Sequence, residues 1–156
     1  MKLTSLGWTL AASAVLSSPL DVKVAVDNCL VSNSVPSDTP GTAEWELDAA
    51  PFNVRMPFQP LSIAVPTTIE HIQAAVLCGA KAGVKVTAKC GGHSYANFGF
   101  GGEDGHLMIE LDRMHNVTLD KATGIATVEG GSRLGHVATE LYAQGKRGIS
   151  HGTCPG

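Results

Sequence analysis

Two short glycine-rich runs carry the side chains best suited to chemistry: Cys90-Gly91-Gly92-His93 in the middle of the 156-residue sequence and His151-Gly152-Thr153-Cys154 near its end. Adjacent glycines let a backbone turn sharply and present its N–H groups to an anion such as a pyrophosphate. Neither run has the glycine spacing of the Rossmann fingerprint or the Walker loop, so a nucleotide bound here is held in another way. Together the runs also offer Cys-x2-His and His-x2-Cys, which is a plausible tetrahedral zinc set of Cys90, His93, His151 and Cys154. Read singly, a Gly-Gly-His turn is more often a structural turn that exposes a histidine than a binding loop.

The elements that must position these runs follow from periodicity. Pro60 precedes a strand at 61–65 that Pro66 stops. Thr67 and Glu70 fit a capping box, and Ile69, Ile72, Val76 and Ala80 form an apolar stripe on the helix that follows, with Gly83 closing it in the left-handed region. A strand at 84–88 delivers Lys89 and the Cys90–His93 run from its C-terminal end, so residues 61–88 form a strand-helix-strand unit with parallel strands. Strands are expected at 107–111, 117–119 and 125–129, the last two joined by the polar turn 120–124, and a helix at 134–143 closed by Gly145. Upstream, Asp21 caps a helix carrying Cys29, and prolines at 36, 40, 51 and 57 make residues 32–60 an extended connector.

Composition bounds the partners. With 11 Lys+Arg against 14 Asp+Glu the net charge is −3, and no basic run is present to follow a phosphate backbone, so nucleic acid is not expected. Residues 1–18 open with Met1-Lys2-Leu3, continue apolar through Leu16 and end in small residues, which is the build of a secretory signal. The stretch is too short and too rich in Ser and Thr for a membrane span, which needs about 20 mainly apolar residues. A secreted, extracellular protein is therefore expected, with Asn116-Val117-Thr118 as a glycosylation sequon and cysteines free to pair in an oxidising compartment.

From about Cys29 onward the sequence resembles the flavoprotein oxidases with a p-cresol-methylhydroxylase-type (PCMH-type) FAD fold, in the berberine-bridge-like branch that includes glucooligosaccharide oxidase. The resemblance rests on Ala88-Lys89-Cys90-Gly91-Gly92-His93-Ser94-Tyr95, on Phe98 to Met108, on Glu110-Leu111-Asp112-Arg113-Met114 and on Ser150-His151-Gly152-Thr153-Cys154-Pro155. It implies an α+β FAD-binding domain at 57–156, preceded by the N-terminal helix and connector at 19–56. It implies FAD bound bicovalently, through His93 to the flavin 8α-methyl carbon and through Cys154 to C6. Lys89, Cys90, Gly91, Gly92, Ser94, Tyr95, Gly131, Gly152 and Thr153 are implied around the cofactor, with Tyr95 also beside the substrate.

The implied activity is oxidation of the anomeric carbon of an oligosaccharide to a lactone, with molecular oxygen as acceptor and hydrogen peroxide as product. The resemblance also implies a Cys29–Cys78 disulfide. Cys90 departs from the pattern, since the family usually has Ser or Gly there, which makes it an unpaired thiol near the flavin. His71, His115 and His136 read as surface or helix-face residues, and His106 and His151 have no assignable role. The family's further flavin-site segment, substrate domain and catalytic base are expected beyond Gly156, so the 156 residues alone are expected to take up flavin weakly and not to turn over. A non-catalytic module binding FAD or carbohydrate, and the zinc module, are the alternatives.

Overall fold

The computed structural model describes residues 18–153. The signal expected at 1–18 lies outside these residues except for Ser18, and Cys154 lies outside them as well.

Ser18, rather than Asp21, is the N-cap of helix α1 (Pro19–Ser32). Its hydroxyl accepts from the Asp21 N–H at 3.2 Å, Pro19 occupies the first turn where no N–H is required, and Asp21 adds negative charge at the positive end of the helix. The cap falls three residues before Asp21 because the apolar spacing used to place it starts at Val22, inside the first turn. Val26 and Leu30 are the buried face of α1. Asp27 anchors the same face by accepting from the Ser62 hydroxyl at 2.6 Å and from Lys23 at 2.7 Å.

The connector is not extended throughout. Thr42 caps a short helix α2 (Ala43–Asp48), accepting from the Trp45 N–H at 3.3 Å. Trp45 packs with Ala49, Ile63, Val65, Phe100 and Met108 in a core layer on one side of the sheet. The prolines at 36, 40, 51 and 57 flank this helix instead of interrupting it, which is why they obscured it.

Strands β1 (Pro60–Ala64), β2 (Val86–Lys89) and β3 (His106–Glu110) form a parallel sheet in the order β1-β3-β2, with α3 (Ile69–Ala82) linking β1 to β2. The strand-helix-strand unit is present with its strands parallel, and β3 is inserted between them. Thr68, one residue later than expected, caps α3 by accepting from the His71 N–H at 3.2 Å, and Gly83 closes the helix at φ +70°.

Helix α3 presents Ala75, Cys78 and Gly79 to the sheet, while Ile69, Val76 and Leu77 face outward. The apolar stripe is therefore not the packing face. Small residues let the helix lie close to the strands, and a side chain at Gly79 would run into Val86. The second core layer joins Val26, Leu30, Ala64, Ala75, Cys78, Leu107 and Ile109. It is locked by the Cys29–Cys78 disulfide, whose Cα atoms are 5.6 Å apart.

A smaller unit follows: an antiparallel hairpin of β4 (Val117–Leu119) and β5 (Ala126–Val128), with α4 (Leu134–Gly145) packed on it through Val117, Leu119, Val137 and Leu141. The hairpin turn is built on Asp120, whose carboxylate accepts from the N–H groups of Ala122 and Thr123 and from the Thr123 hydroxyl. Those bonds hold its pKa below the usual carboxylate value. Gly145 is the last residue of α4, and Lys146 takes the left-handed cap at φ +54°. Asn116, at the edge of β4, is exposed.

The disulfide joins residues 49 apart in sequence, and closing a loop of that size in the unfolded chain is worth about 4 kcal/mol in the entropic account. Replacing both Cys29 and Cys78 by Ser is expected to lower the unfolding free energy in urea by about 2–4 kcal/mol, and a loss under about 1 kcal/mol would show that the bridge is stabilising little.

Candidate functional site

Strands β2 and β3 run parallel and end together, Lys89 opposite Glu110. The open edge beyond the carboxyl ends of parallel strands is where sheets of this kind hold ligands, and here it is roofed by the loop leaving β2. Lys89 does not point out of that edge. It is 8% exposed, with its ammonium 2.5 Å from Glu110 Oε2, 3.8 Å from Asp48 Oδ1 and donating to the Asp48 carbonyl at 3.0 Å.

Glu110 is buried. Its Oε1 accepts from the Asp112 N–H at 3.2 Å, while Oε2 has no aligned donor and is held by the Lys89 charge alone. Burial pushes the Glu110 pKa up to about 7; Lys89 opposes the shift, and Asp112 and Asp48 reinforce it. Asp38 is raised to about 6, by burial first and then by its hydrogen bond and repulsion with Asp48.

The loop turns outward immediately after Lys89. Gly92 has φ +69°, and the space where Gly91 would carry a side chain is open. Among the described residues no backbone or side-chain acceptor takes the N–H of Gly91, Gly92 or His93. The loop thus presents unused donors to the outside, as an anion-binding turn does.

His93 is exposed at its tip, and Cys90 carries an exposed thiol at its base. Ser94 is turned back into the loop, its hydroxyl accepting from the Phe98 N–H at 3.1 Å. Tyr95 is 83% exposed, so it is not a core tyrosine.

The C-terminal run lies against this loop. Gly91 and His93 share a hollow of about 340 Å³ with Ser132, Arg133, Leu134, Gly152 and Thr153. An adjoining hollow of about 300 Å³ is lined by Phe52, Lys89, Gly91, Gly92, His93, Arg133 and parts of α2. Two expected runs far apart in sequence therefore flank one depression, and Cys154 is the residue that follows Thr153.

Gly131 is placed for a different reason than cofactor contact alone would require. It is buried, its N–H donates to the Met114 carbonyl at 2.8 Å, and any side chain there would overlap the Leu111 carbonyl. Its absence of a side chain lets the 130–133 turn sit on the 111–114 turn. Arg133, one turn further, pairs with Asp112 at 2.7 Å and borders both hollows.

Sequence reasoning missed two residues here. Arg133 lies two residues past Gly131 without a role of its own in the sequence, and Phe52 falls within the expected connector. Phe52 lies with its ring centroid 5.1 Å from His93 and 5.5 Å from Tyr95, a contact across the chain that local pattern does not signal.

Of the remaining histidines, His115 and His136 meet edge to face at 5.6 Å beside a third hollow, and His71 accepts at the start of α3. His106 is buried; its Nδ1 donates to the Glu103 carbonyl at 2.8 Å, and burial lowers its pKa. Among the described residues the one group of three possible metal ligands is Asp48, Glu110 and Asp112, and it is already engaged by cations, Lys89 against Asp48 and Glu110 and Arg133 against Asp112. Cys90, His93 and His151 do not come together into such a group.

Residues 60–155 match the FAD binding domain family, and the chain belongs to that family. A xylooligosaccharide oxidase of Thermothelomyces thermophilus is 60% identical over 151 residues, covering 95% of this chain and 30% of the relative. The solved structure of a xylooligosaccharide oxidase from Myceliophthora thermophila, in complex with xylobiose, matches at 62% identity with a TM-score of 0.81, covering 84% of this chain and 28% of that one. A glucooligosaccharide oxidase from Acremonium strictum, described as carrying 6-S-cysteinyl, 8α-N1-histidyl FAD, matches at 49% identity and a TM-score of 0.81 over 84% of this chain and 27% of that one. The chain spans under a third of the length of these relatives.

The buried pair makes a pH-dependent prediction. Because the folded Glu110 pKa of about 7 lies above the ordinary glutamate value of 4.5, the folded chain binds this proton more tightly than the unfolded chain. The stability it contributes is complete below the lower value and is lost as pH rises through the higher one. Lys89→Met is expected to cost about 3–5 kcal/mol at pH 8, where it strands a buried carboxylate, and clearly less at pH 5, where Glu110 is protonated. Equal losses at both pH values in urea unfolding would refute the coupling.

Proposed function

We propose that this chain holds the flavin of a secreted carbohydrate oxidase, with FAD tethered through His93 and Cys154. The observation that carries the proposal is the shared hollow, where the Gly91–His93 turn faces Gly152 and Thr153 across about 340 Å³.

The residues present suit the cofactor. The free N–H groups of Gly91, Gly92 and His93 form a cradle for a pyrophosphate, and the open space at Gly91 allows close approach of the ligand to backbone. The Acremonium relative is described with a cysteinyl and a histidyl linkage to its FAD, the two side-chain types this sequence has at 154 and 93. In this reading Gly91, Gly92, Ser94, Gly152 and Thr153 shape the seat, and Cys90 stands next to it. Lys89 fixes the end of β2 beneath the loop, and Gly131 keeps Arg133 at the rim. The Tyr95 ring offers an exposed face against which a sugar can stack.

When bound, FAD supplies the two-electron acceptor for the hydride of the sugar's anomeric carbon, with molecular oxygen as final acceptor and a lactone and hydrogen peroxide as products. The chain's own part is to bind, orient and tune. No described residue is assigned the base. The substrate class is an oligosaccharide, by likeness to relatives named for xylo-, chito- and gluco-oligosaccharides.

Secretion is supported by the leader-like residues 1–18, by the disulfide and by the exposed sequon at Asn116. Among the described residues no helix is long and apolar enough to cross a membrane.

The tether is tested in the full gene product by flavin fluorescence of denatured protein on gels. His93→Ala and Cys154→Ala are each expected to keep covalent flavin and to oxidise sugar more slowly, whereas the double variant loses the flavin on denaturation. Covalent flavin surviving in the double variant, or released intact by acid from the wild type, would contradict the assignment. Absence of peroxide on incubation with xylo-, chito- or gluco-oligosaccharides would contradict the oxidase reading.

A glycan at Asn116 is tested separately. The secreted protein is expected to shift in mobility on endoglycosidase treatment, and the Thr118→Ala variant to show no shift; an unshifted wild type would remove the sequon from the case for export.

A further inference from the structure

We propose that Phe52 is a positioning residue that sets the orientation of the His93 ring for attachment to the flavin, and that Asn97 holds Phe52 in place. The proposal rests on the reading of His93 as a flavin tether.

Phe52 belongs to the stretch between α2 and β1, and its ring is 50% exposed, so it is not there to fill the core. It stands between the rings of His93 and Tyr95, tilted at 48° to the first and edge-on at 69° to the second. Neither of those side chains makes a hydrogen bond to a described residue, so the Phe52 ring is a contact that restrains them there. Edge and tilted pairings of this kind are favoured by the ring quadrupoles.

A half-exposed ring on a loop would not hold a fixed place unless its backbone were fixed, and Asn97 fixes it. Asn97 is fully buried and adopts φ +54°, a conformation that asparagine tolerates better than most residues. Its Oδ1 accepts from the Asn53 N–H at 3.2 Å, and its Nδ2 donates to the carbonyls of Asn53 at 2.8 Å and Met56 at 2.7 Å. Asn53 in turn donates from Nδ2 to the Tyr95 carbonyl at 2.9 Å. These four bonds make residues 53–56 and the loop at 94–97 a single piece. Phe52 is the residue immediately before it, and His93 the one immediately before Ser94.

Attachment at His93 forms a bond from a ring nitrogen to the 8α-carbon and breaks the imidazole N–H and one methyl C–H. The two protons and two electrons released leave on molecular oxygen as hydrogen peroxide. Such a step needs the nitrogen aimed at the carbon at near-contact distance, and misplacing a reacting group by about 1 Å costs on the order of 100-fold in rate. A ring lying against one side of His93 restricts the rotations that would misplace it.

The test uses the full gene product prepared free of flavin as wild type, Phe52→Ala, Phe52→Tyr and Asn97→Gly. FAD is added, and acid-stable flavin is followed over time and assigned to His93 or Cys154 by peptide mapping. Phe52→Ala is expected to slow attachment at His93 by about tenfold or more while attachment at Cys154 keeps its wild-type rate. Phe52→Tyr restores the rate. Asn97→Gly, which accepts the positive φ but lacks the bonds, slows His93 attachment as Phe52→Ala does.

In the flavin-free protein the His93 ring proton resonances should also move in Phe52→Ala, through loss of the neighbouring ring current, and return in Phe52→Tyr. Wild type that attaches FAD at His93, with Phe52→Ala attaching equally fast, overturns the positioning role and leaves the tether standing. Wild type that attaches no FAD at His93 overturns the tether, and the resonances then judge the positioning alone: unchanged shifts in Phe52→Ala overturn it too.

Discussion

The Lys89 ammonium is the point at which three elements of the structure meet: the end of β2 that carries it, the end of β3 that supplies Glu110, and the end of α2 that supplies the Asp48 carbonyl and carboxylate. A cation buried without a counter-charge is costly, and a carboxylate equally so, so the two fix each other's strands in register and draw α2 down onto them. The Phe100 ring, 5.7 Å from the ammonium, closes the remaining side. Because the charge is satisfied inward, the chain beyond it is released to turn outward, and the residues it turns out are Cys90, Gly91, Gly92 and His93.

That division of labour explains why a loop with so few contacts of its own keeps its place. Beneath it lies the Lys89 ion pair, and beside it lies the Gly131 turn, pressed onto the Leu111–Met114 turn where no side chain would fit. Arg133 then connects the two by pairing with Asp112, two residues past Glu110. A surface with free N–H groups held over a rigid base is suited to an anionic ligand that arrives from solution, whereas a floppy loop would first have to be ordered.

How much of this could be read from the residues differs by range of interaction. Local signals placed the strands to within about two residues, because alternation and bounding prolines and glycines are short-range properties. They misplaced caps at Asp21 and Thr67 by one to three residues, since several Ser, Thr and Asp side chains near each helix start can serve and only the backbone geometry chooses among them. The outward face of α3 was the larger surprise. An apolar stripe normally marks the packed side, but this helix approaches its sheet through Ala75, Cys78 and Gly79, and closeness between backbones is invisible to a hydrophobicity count. The site divides in the same way. His93 and the Gly152-Thr153 run were legible as motifs, while Glu110 as the partner of Lys89 depends on strand register, and Phe52 on a loop folding back from about 40 residues upstream; neither relation has a local signature.

The shape of the depression bears on why a covalent tether would suit it. Pockets that retain small molecules by burial alone usually enclose most of the ligand surface within about 300–1,000 Å³. Here two hollows of about 300 and 340 Å³ adjoin at Gly91, His93 and Arg133, each at the small end of that range. The noncovalent affinity these residues supply comes from the backbone donors and the Arg133 charge, both of which water and salt weaken. In the proposed reading, bonds through His93 and Cys154 remove that dependence.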